Sequence, residues 1–156
     1  MSTIKKFLNL IFIDGLSGMA LGLFSTLIIG TILKQIADLI GGDFGYYLGV
    51  FAVIAQRLTG AGIGIGVAYK YKSSTYVTLS AAAAGMIGAY ATTIISGSIL
   101  SDGALVYSGP GDPLSAFIAA LAGIAIGSLP AGKTKLDLLI TPAVTIITGG
   151  AAGIIV

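Results

Sequence analysis

Five long apolar runs, separated by short segments that hold most of the charge, set the strongest limit on how this chain folds. The runs cover residues 13–33, 46–69, 74–100, 113–129 and 137–156. Each is roughly 17–27 residues long, near the ~20 that a helix needs to cross a ~30 Å hydrocarbon layer. We therefore expect an all-α, polytopic transmembrane bundle of about five spans. Residues 1–156 should form a single transmembrane domain.

Composition supports a lipid environment for these helices. Charged residues make up 9% of the chain, against about 25% in soluble domains. A helix that is apolar on every side must be buried in a large protein or in lipid. A chain of this size cannot bury five such helices in water. The lipid bilayer is therefore the first partner that the sequence predicts.

The lysines predict which end of the bundle faces the cytoplasm. Six of the eight basic residues lie in alternate connections, namely Lys5, Lys6, Lys70, Lys72, Lys133 and Lys135. The other connections carry mainly aspartates, with Lys34, Asp38 and Asp43 in one and Asp102 and Asp112 in the other. Lys and Arg in short loops favour the cytoplasmic side. The N-terminus should be cytoplasmic, with residues 3–12 as an amphipathic lead-in along the membrane surface.

Glycine is abundant and recurs at helical spacing. The 24 glycines are about twice the usual frequency of ~7%. Small residues four apart occur in every run, as Gly18/Gly22, Gly60/Gly64, Gly62/Gly66, Ala81/Gly85, Gly123/Gly127 and Gly149/Gly153. In lipid such faces let helix backbones approach closely. They predict Gly-rich packing faces and contacts beyond one chain, either in a homodimer or with a second half-transporter.

The second run is predicted to be a broken helix. Gln56, Arg57 and Thr59 precede the glycine-rich stretch 60–66. A charge inside a membrane usually faces a cavity or a partner, and each glycine weakens a helix by ~1 kcal/mol relative to alanine. We expect helices over 46–58 and 62–69 with an unwound middle that lines a polar space. The alternative is a shorter span in which Arg57 snorkels to an interface.

Three further signals concern local structure. The Thr141-Pro142 pair should kink the fifth run, because Pro142 cannot donate the backbone bond to Leu138. Asp112 should cap a helix that begins at Pro113. The third run is long for one crossing, so two shorter pieces broken near Gly97 remain an alternative.

Residue types that usually carry chemistry are missing. The chain has no His, Cys, Glu or Trp, so we expect no catalytic residues, no metal site and no cofactor. No basic patch with interleaved aromatic residues points to nucleic acid. Residues 127–134 match the phosphate-loop pattern, but that chemistry needs a preceding strand and the sequence predicts a helix there.

Several strings resemble a known family of bacterial integral membrane proteins. They are IDGLSGMALGLFSTLIIGTILK (13–34), GAGIGIGVAY (60–69), SAFIAALAGIAIGSL (115–129) and AGKTKLDLLITPAV (131–144). The chain resembles the N-terminal half of the phosphotransferase-system IIC-like family. The resemblance implies a multi-pass, permease-like protein of the bacterial inner (cytoplasmic) membrane. Members carry a second apolar half, so a half-protein or a piece of a longer chain is expected.

The resemblance and the polar residues together suggest a function. We expect a small polar or anionic solute, such as a sugar, to bind Gln56, Arg57 and Thr59, with Thr141 at a facing break. Phosphotransfer by this chain is not expected, because it has no His or Cys to receive a phosphoryl group. The alternatives are a non-transporting scaffold or regulatory subunit, and a small channel lined by glycine.

Overall fold

The computed structural model describes residues 2–133 and 135–156, and the predicted all-α fold is confirmed there. The helices are α1 (Thr3–Ile40), α2 (Gly42–Arg57), α3 (Thr59–Lys70), α4 (Thr75–Ala89), α5 (Ala91–Ile95), α6 (Pro113–Gly127) and α7 (Asp137–Ile155). A short antiparallel hairpin, β1 (Leu100–Ser101) and β2 (Ala104–Leu105), follows α5.

Helix α1 is longer than the sequence suggests. Its 38 residues correspond to about 57 Å at ~1.5 Å per residue, against a hydrocarbon layer of ~30 Å. Two stretches, Leu10–Gly15 and Phe24–Ile28, are π-helical. Residues 3–12, the expected amphipathic lead-in, are the first part of this continuous helix. Lys34 and Asp38, expected in a connection, lie inside the helix, where they pair at 2.5 Å across one turn.

Helices α1 and α2 form a tight helical hairpin, which we call the arm (residues 29–57). The chain reverses at Gly41 and Gly42, whose φ angles of +66° and +64° favour glycine. Gly45 then lies against Ala37: a Cβ built on Gly45 would be 2.7 Å from the Ala37 carbonyl oxygen. Helix α2 packs chiefly on α1 and touches α3 very little. The arm is therefore held to the other helices mainly through the continuous helix α1.

The second run is broken, as predicted, but at a different residue. Helices α2 and α3 meet at Leu58 with a bend of 54°. The expected unwound middle between residues 58 and 62 is wrong, because the glycine-rich residues 60–66 all lie within regular helix α3. Both sides of α3 are packed against neighbouring helices through these glycines. That close packing offsets the weak helix propensity of glycine, which is ~1 kcal/mol per residue.

The predicted glycine faces are confirmed as the contact surfaces of the bundle. Gly66 of α3 meets Gly18 of α1 so closely that a Cβ on Gly66 would be 2.2 Å from the Gly18 carbonyl oxygen. On the other side of α3, Gly64 lies against the backbone of Ala81 in α4. Helices α6 and α7 meet in the same way through Gly123. The bundle thus consists of α3, α4, α6 and α7 with the first two-thirds of α1.

The third run divides into two helices and a hairpin. Helix α4 ends at Ala89, Tyr90 interrupts it, and α5 ends at Ile95. The break lies earlier than Gly97, where an interruption was considered. Asp102 and Gly103, with φ of 51° and 80°, both adopt the left-handed conformation that a two-residue type I′ turn requires. As predicted, Asp112 caps α6, where its carboxylate accepts from the Leu114 amide at 3.0 Å.

The expected count of about five membrane spans is not confirmed. Within the described residues, α1 and α7 are long and apolar enough to cross a membrane, and α2 with α3 would add a third span if the bent pair crosses as one. Helices α4 and α6 have 15 residues each. Such a helix is about 22 Å long, short of the ~30 Å hydrocarbon layer.

Candidate functional site

The break at Leu58 brings three of the predicted site residues together. Gln56 is half-buried, and its Nε2 donates to Thr31 Oγ1 of α1 at 3.2 Å. Thr59 is fully buried, and its Oγ1 donates to the Gln56 carbonyl oxygen at 2.6 Å. These two hydrogen bonds fix the path of the chain through the bend. They also leave Arg57, between the two polar residues, with its side chain exposed.

Arg57 lies against an aromatic cluster that the sequence did not reveal. Its guanidinium carbon is 5.7 Å from the centroid of the Tyr107 ring, within the ≈ 6 Å of a cation–π contact. Tyr107 in turn contacts Tyr90, with ring centroids 4.6 Å apart. The Tyr90 hydroxyl donates to the Gly109 carbonyl at 2.5 Å, and its oxygen also lies 3.4 Å from the Arg57 carbonyl oxygen. The loop before α6 is thereby tied to the break at Leu58.

The guanidinium group of Arg57 keeps its hydrogen-bonding capacity. Across residues 2–133 and 135–156 the structure has one ion pair, Lys34 with Asp38, and Arg57 donates to no side-chain acceptor there. Contact with an aromatic face leaves the N–H edge of a guanidinium available. Arg57 is therefore able to bind an anionic or polyhydroxyl group.

An open groove of about 600 Å³ runs along the arm and ends at Arg57. Gly41, at the reversal, and Gly45 and Gly49 of α2 line it at intervals of four residues, together with Lys34 and Tyr46. Sequence reasoning missed this groove, although the regular spacing of the three glycines was a signal for it. The groove joins Arg57 to the Lys34–Asp38 ion pair and to an aromatic side chain.

Thr141 is not brought to the other three residues. It is fully buried in α7, and its hydroxyl donates to the Asp137 carboxylate, which also accepts from the Gly132 amide at 3.0 Å. Gly153 of α7 packs on Gly88, close to Tyr90, so Thr141 lies toward the opposite end of the bundle. Helix α7 continues through Pro142 as one helix. The expected facing break is therefore not formed beside Arg57.

The two lysines of the α3–α4 turn lie beside the N-terminal part of α1. Tyr71, between Lys70 and Lys72, donates its hydroxyl to the Leu10 carbonyl at 2.9 Å. Burial raises the pKa of the Tyr71 phenol, and the Asp14 carboxylate raises it further, so the hydroxyl stays protonated and keeps this bond. The segment that leads toward Lys133 lines a common cleft with Tyr71 and Lys72. We call this end of the molecule the basic end.

The comparison with protein families decides what kind of chain this is. The family model described as phosphotransferase system, EIIC, matches residues 13–156. The chain belongs to the EIIC family. The predicted resemblance is confirmed, and the broken α2–α3 pair of this EIIC chain belongs to a membrane-embedded, permease-like transport component. No curated protein and no solved structure gave a match.

The phosphate-loop pattern in this EIIC chain has the wrong structural setting. The residues before it form helix α6, and Gly127, the first glycine of the pattern, packs against Thr145 of α7. Thr134, the last residue of the pattern, lies outside the described residues. A phosphate loop needs a strand before it and a helix N-terminus after it, so the geometry does not favour nucleotide binding.

Proposed function

We propose that this EIIC chain binds a small polar or anionic solute, such as a sugar, at the break between α2 and α3, as a step in its transport. Arg57 is the principal ligand, with Gln56 and Thr59 shaping the site. The observation that carries the proposal is an unpaired guanidinium at a broken helix, at the end of an open groove of about 600 Å³. Thr141 is left out, because its hydroxyl is already donated to Asp137.

The arrangement also supports a partner that completes the site. The groove has walls from α1 and α2 only, and large apolar side chains of the arm stay exposed, including Leu39 at 87% and Phe44 at 68%. We propose that a second copy or a second EIIC half packs against the arm. A site closed on all sides would exclude water from the bound solute.

Replacing Arg57 by alanine should strongly weaken solute binding while the bundle stays folded. One charge-assisted hydrogen bond contributes about 2 kcal/mol, or roughly 30-fold in affinity. The measurement is a thermal-shift titration of the purified protein against neutral hexoses, sugar acids and dicarboxylates, because a bound ligand raises apparent stability. Arg57→Lys should retain part of the affinity.

Lys135→Ala is the matched control, because it removes the same charge from the exposed basic end. Equal affinity of the wild type and Arg57→Ala for the same probe would contradict the proposal. So would the absence of a shift with every probe, which would favour the scaffold or regulatory subunit instead.

We further propose that the basic end faces the cytoplasm of a bacterial cell. The support is the position of Lys70 and Lys72. They flank Tyr71, which is hydrogen-bonded to Leu10 near the lysine-bearing start of α1, and lysines in short loops favour the cytoplasmic side. The chain has no cysteine, so single cysteines report their location without background. A cysteine at Ser73 should resist a membrane-impermeant maleimide on intact cells, whereas a cysteine at Ser108 should react. The reverse pattern would show the opposite orientation.

A further inference from the structure

A cleft of about 700 Å³ opens at the basic end, far from Arg57. Its walls come from the N-terminal part of α1, from α6 and from the turn between α3 and α4. Alanines of α6, among them Ala122 and Ala125, face larger side chains of α1, such as Phe7 and Ile11. The two helices make few direct contacts with each other, and the space between them stays open.

The walls of the cleft are apolar. Phe7 and Leu10 keep 57% and 45% of their surface exposed beside it. Leu121 and Ile124 continue the apolar surface on α6. Water gains few hydrogen bonds in such a space, whereas a hydrocarbon chain gains close contacts with both walls. The cleft therefore fits an acyl chain.

The rim of the cleft is polar and positive. Lys72, held by a left-handed backbone conformation with φ of 53°, lines it beside Ser73. Neither side chain donates a hydrogen bond to another group in the described part of the chain, whereas the hydroxyl of Ser128 is donated to the Ile124 carbonyl. An ammonium and a hydroxyl at the mouth of an apolar cleft match a phosphate with an attached hydrocarbon tail.

The charges around the rim favour an anionic ligand. Lys70 directly precedes Tyr71, which lines the cleft. Of the carboxylates at this end, Asp137 accepts hydrogen bonds from Thr141 and Gly132. Asp14 lies close enough to Tyr71 to raise the pKa of its phenol. Basic pockets between helices on the cytoplasmic side are suited to anionic lipid headgroups.

We infer that this cleft binds one anionic phospholipid, with an acyl chain between α1 and α6 and the phosphate at Lys72 and Ser73. A phospholipid bound in this way joins the start of α1 to the α3–α4 turn and to α6. The inference depends on the membrane setting of the chain and is independent of the solute site at Arg57.

The test is a stability and lipid-binding measurement on the full chain purified in a neutral detergent. Phosphatidylglycerol added to the micelles should raise the unfolding temperature and remain bound in native mass spectra, and phosphatidylcholine should do neither. Lys72→Asn should weaken phosphatidylglycerol binding roughly fivefold, the size expected for one lysine at an anionic surface. Asparagine tolerates the left-handed conformation, so this change removes the charge without adding backbone strain.

Two further variants separate the cleft from general charge effects. Ala125→Phe, on the exposed side of α6, should fill the cleft and abolish binding of the lipid. Lys135→Asn removes the same charge from the same end and should leave binding unchanged. Equal binding of the two lipids, or equal losses for Lys72→Asn and Lys135→Asn, would overturn the inference. Stabilisation by inorganic phosphate alone would overturn it as well, because it would assign the rim to a free anion.

Discussion

Gly64→Ala should destabilise the bundle by about 3 kcal/mol, the upper part of the range for overpacking a well-packed core. A Cβ on Gly64 would lie 2.0 Å from the carbonyl oxygen of Ala81, which is backbone and cannot rotate away. Helices α3 and α4 would have to separate, and the opposite face of α3 would lose its contact with α1. Thermal unfolding in detergent, followed by circular dichroism, measures the loss.

Gly49→Ala is the matched control for this substitution. Gly49, like Gly64, lies within a helix, but it is only half-buried and a Cβ there would meet only Ala37 Cβ at 3.7 Å, an ordinary contact. The variant should be stabilised by up to ~1 kcal/mol, since alanine is the better helix former. Equal behaviour of the two variants would show that the α3–α4 contact is not as close as the structure has it.

Tyr90→Ala should lower stability by about 3–5 kcal/mol, the usual cost of removing a buried aromatic side chain. The Tyr90 ring is 6% exposed and packs on Tyr107, and its hydroxyl is bonded to Gly109. The loop before α6 should become accessible to protease, because this contact ties it to the bundle. Limited proteolysis and thermal unfolding measure the two effects.

Tyr90→Phe separates the hydrogen bonds from the packing. It keeps the ring and removes the hydroxyl, so the expected loss is about 1–2 kcal/mol for the unpaired carbonyl groups. Tyr69→Phe is the control, since Tyr69 is 64% exposed and its hydroxyl makes no hydrogen bond within residues 2–133 and 135–156. If Tyr90→Phe unfolds like Tyr69→Phe, the tie between the loop and Leu58 contributes nothing.

The packing of the bundle was predictable from the sequence because it depends on residue size at fixed spacing. Gly18 and Gly22 lie on one helix face and Gly62 and Gly66 on another, and the structure brings these two faces into contact. Backbones approach closely only where both faces are small. The spacing of small residues therefore carries the contact information directly.

The arm was not predictable in the same way, because its charges were interpreted as a boundary. Lys34 and Asp38 lie one helical turn apart and neutralise each other, so α1 continues past them. The reversal occurs at Gly41 and Gly42, where two positive φ angles are needed. A pair of consecutive glycines was the better signal for the end of this helix.

The candidate site was predictable only in part. Gln56, Arg57 and Thr59 are neighbours in sequence, so the break at Leu58 keeps them together. Tyr90 and Tyr107 reach Arg57 through tertiary contacts that no local pattern reveals. Thr141 was assigned from its proline neighbour alone, and its hydroxyl is already donated to the nearby Asp137.

The glycine surfaces on both sides of α3 restrict how this chain can change shape. Because the glycines of α3 contact α1 and α4 through backbone atoms, no side-chain rotation at these contacts can make room for α3 to slide or turn. The bend at Leu58 is less constrained, because α2 makes few contacts with α3. The arm is joined to the bundle twice, by the continuous helix α1 and by the bend at Leu58, so any movement of the arm relative to the bundle has to bend α1 as well.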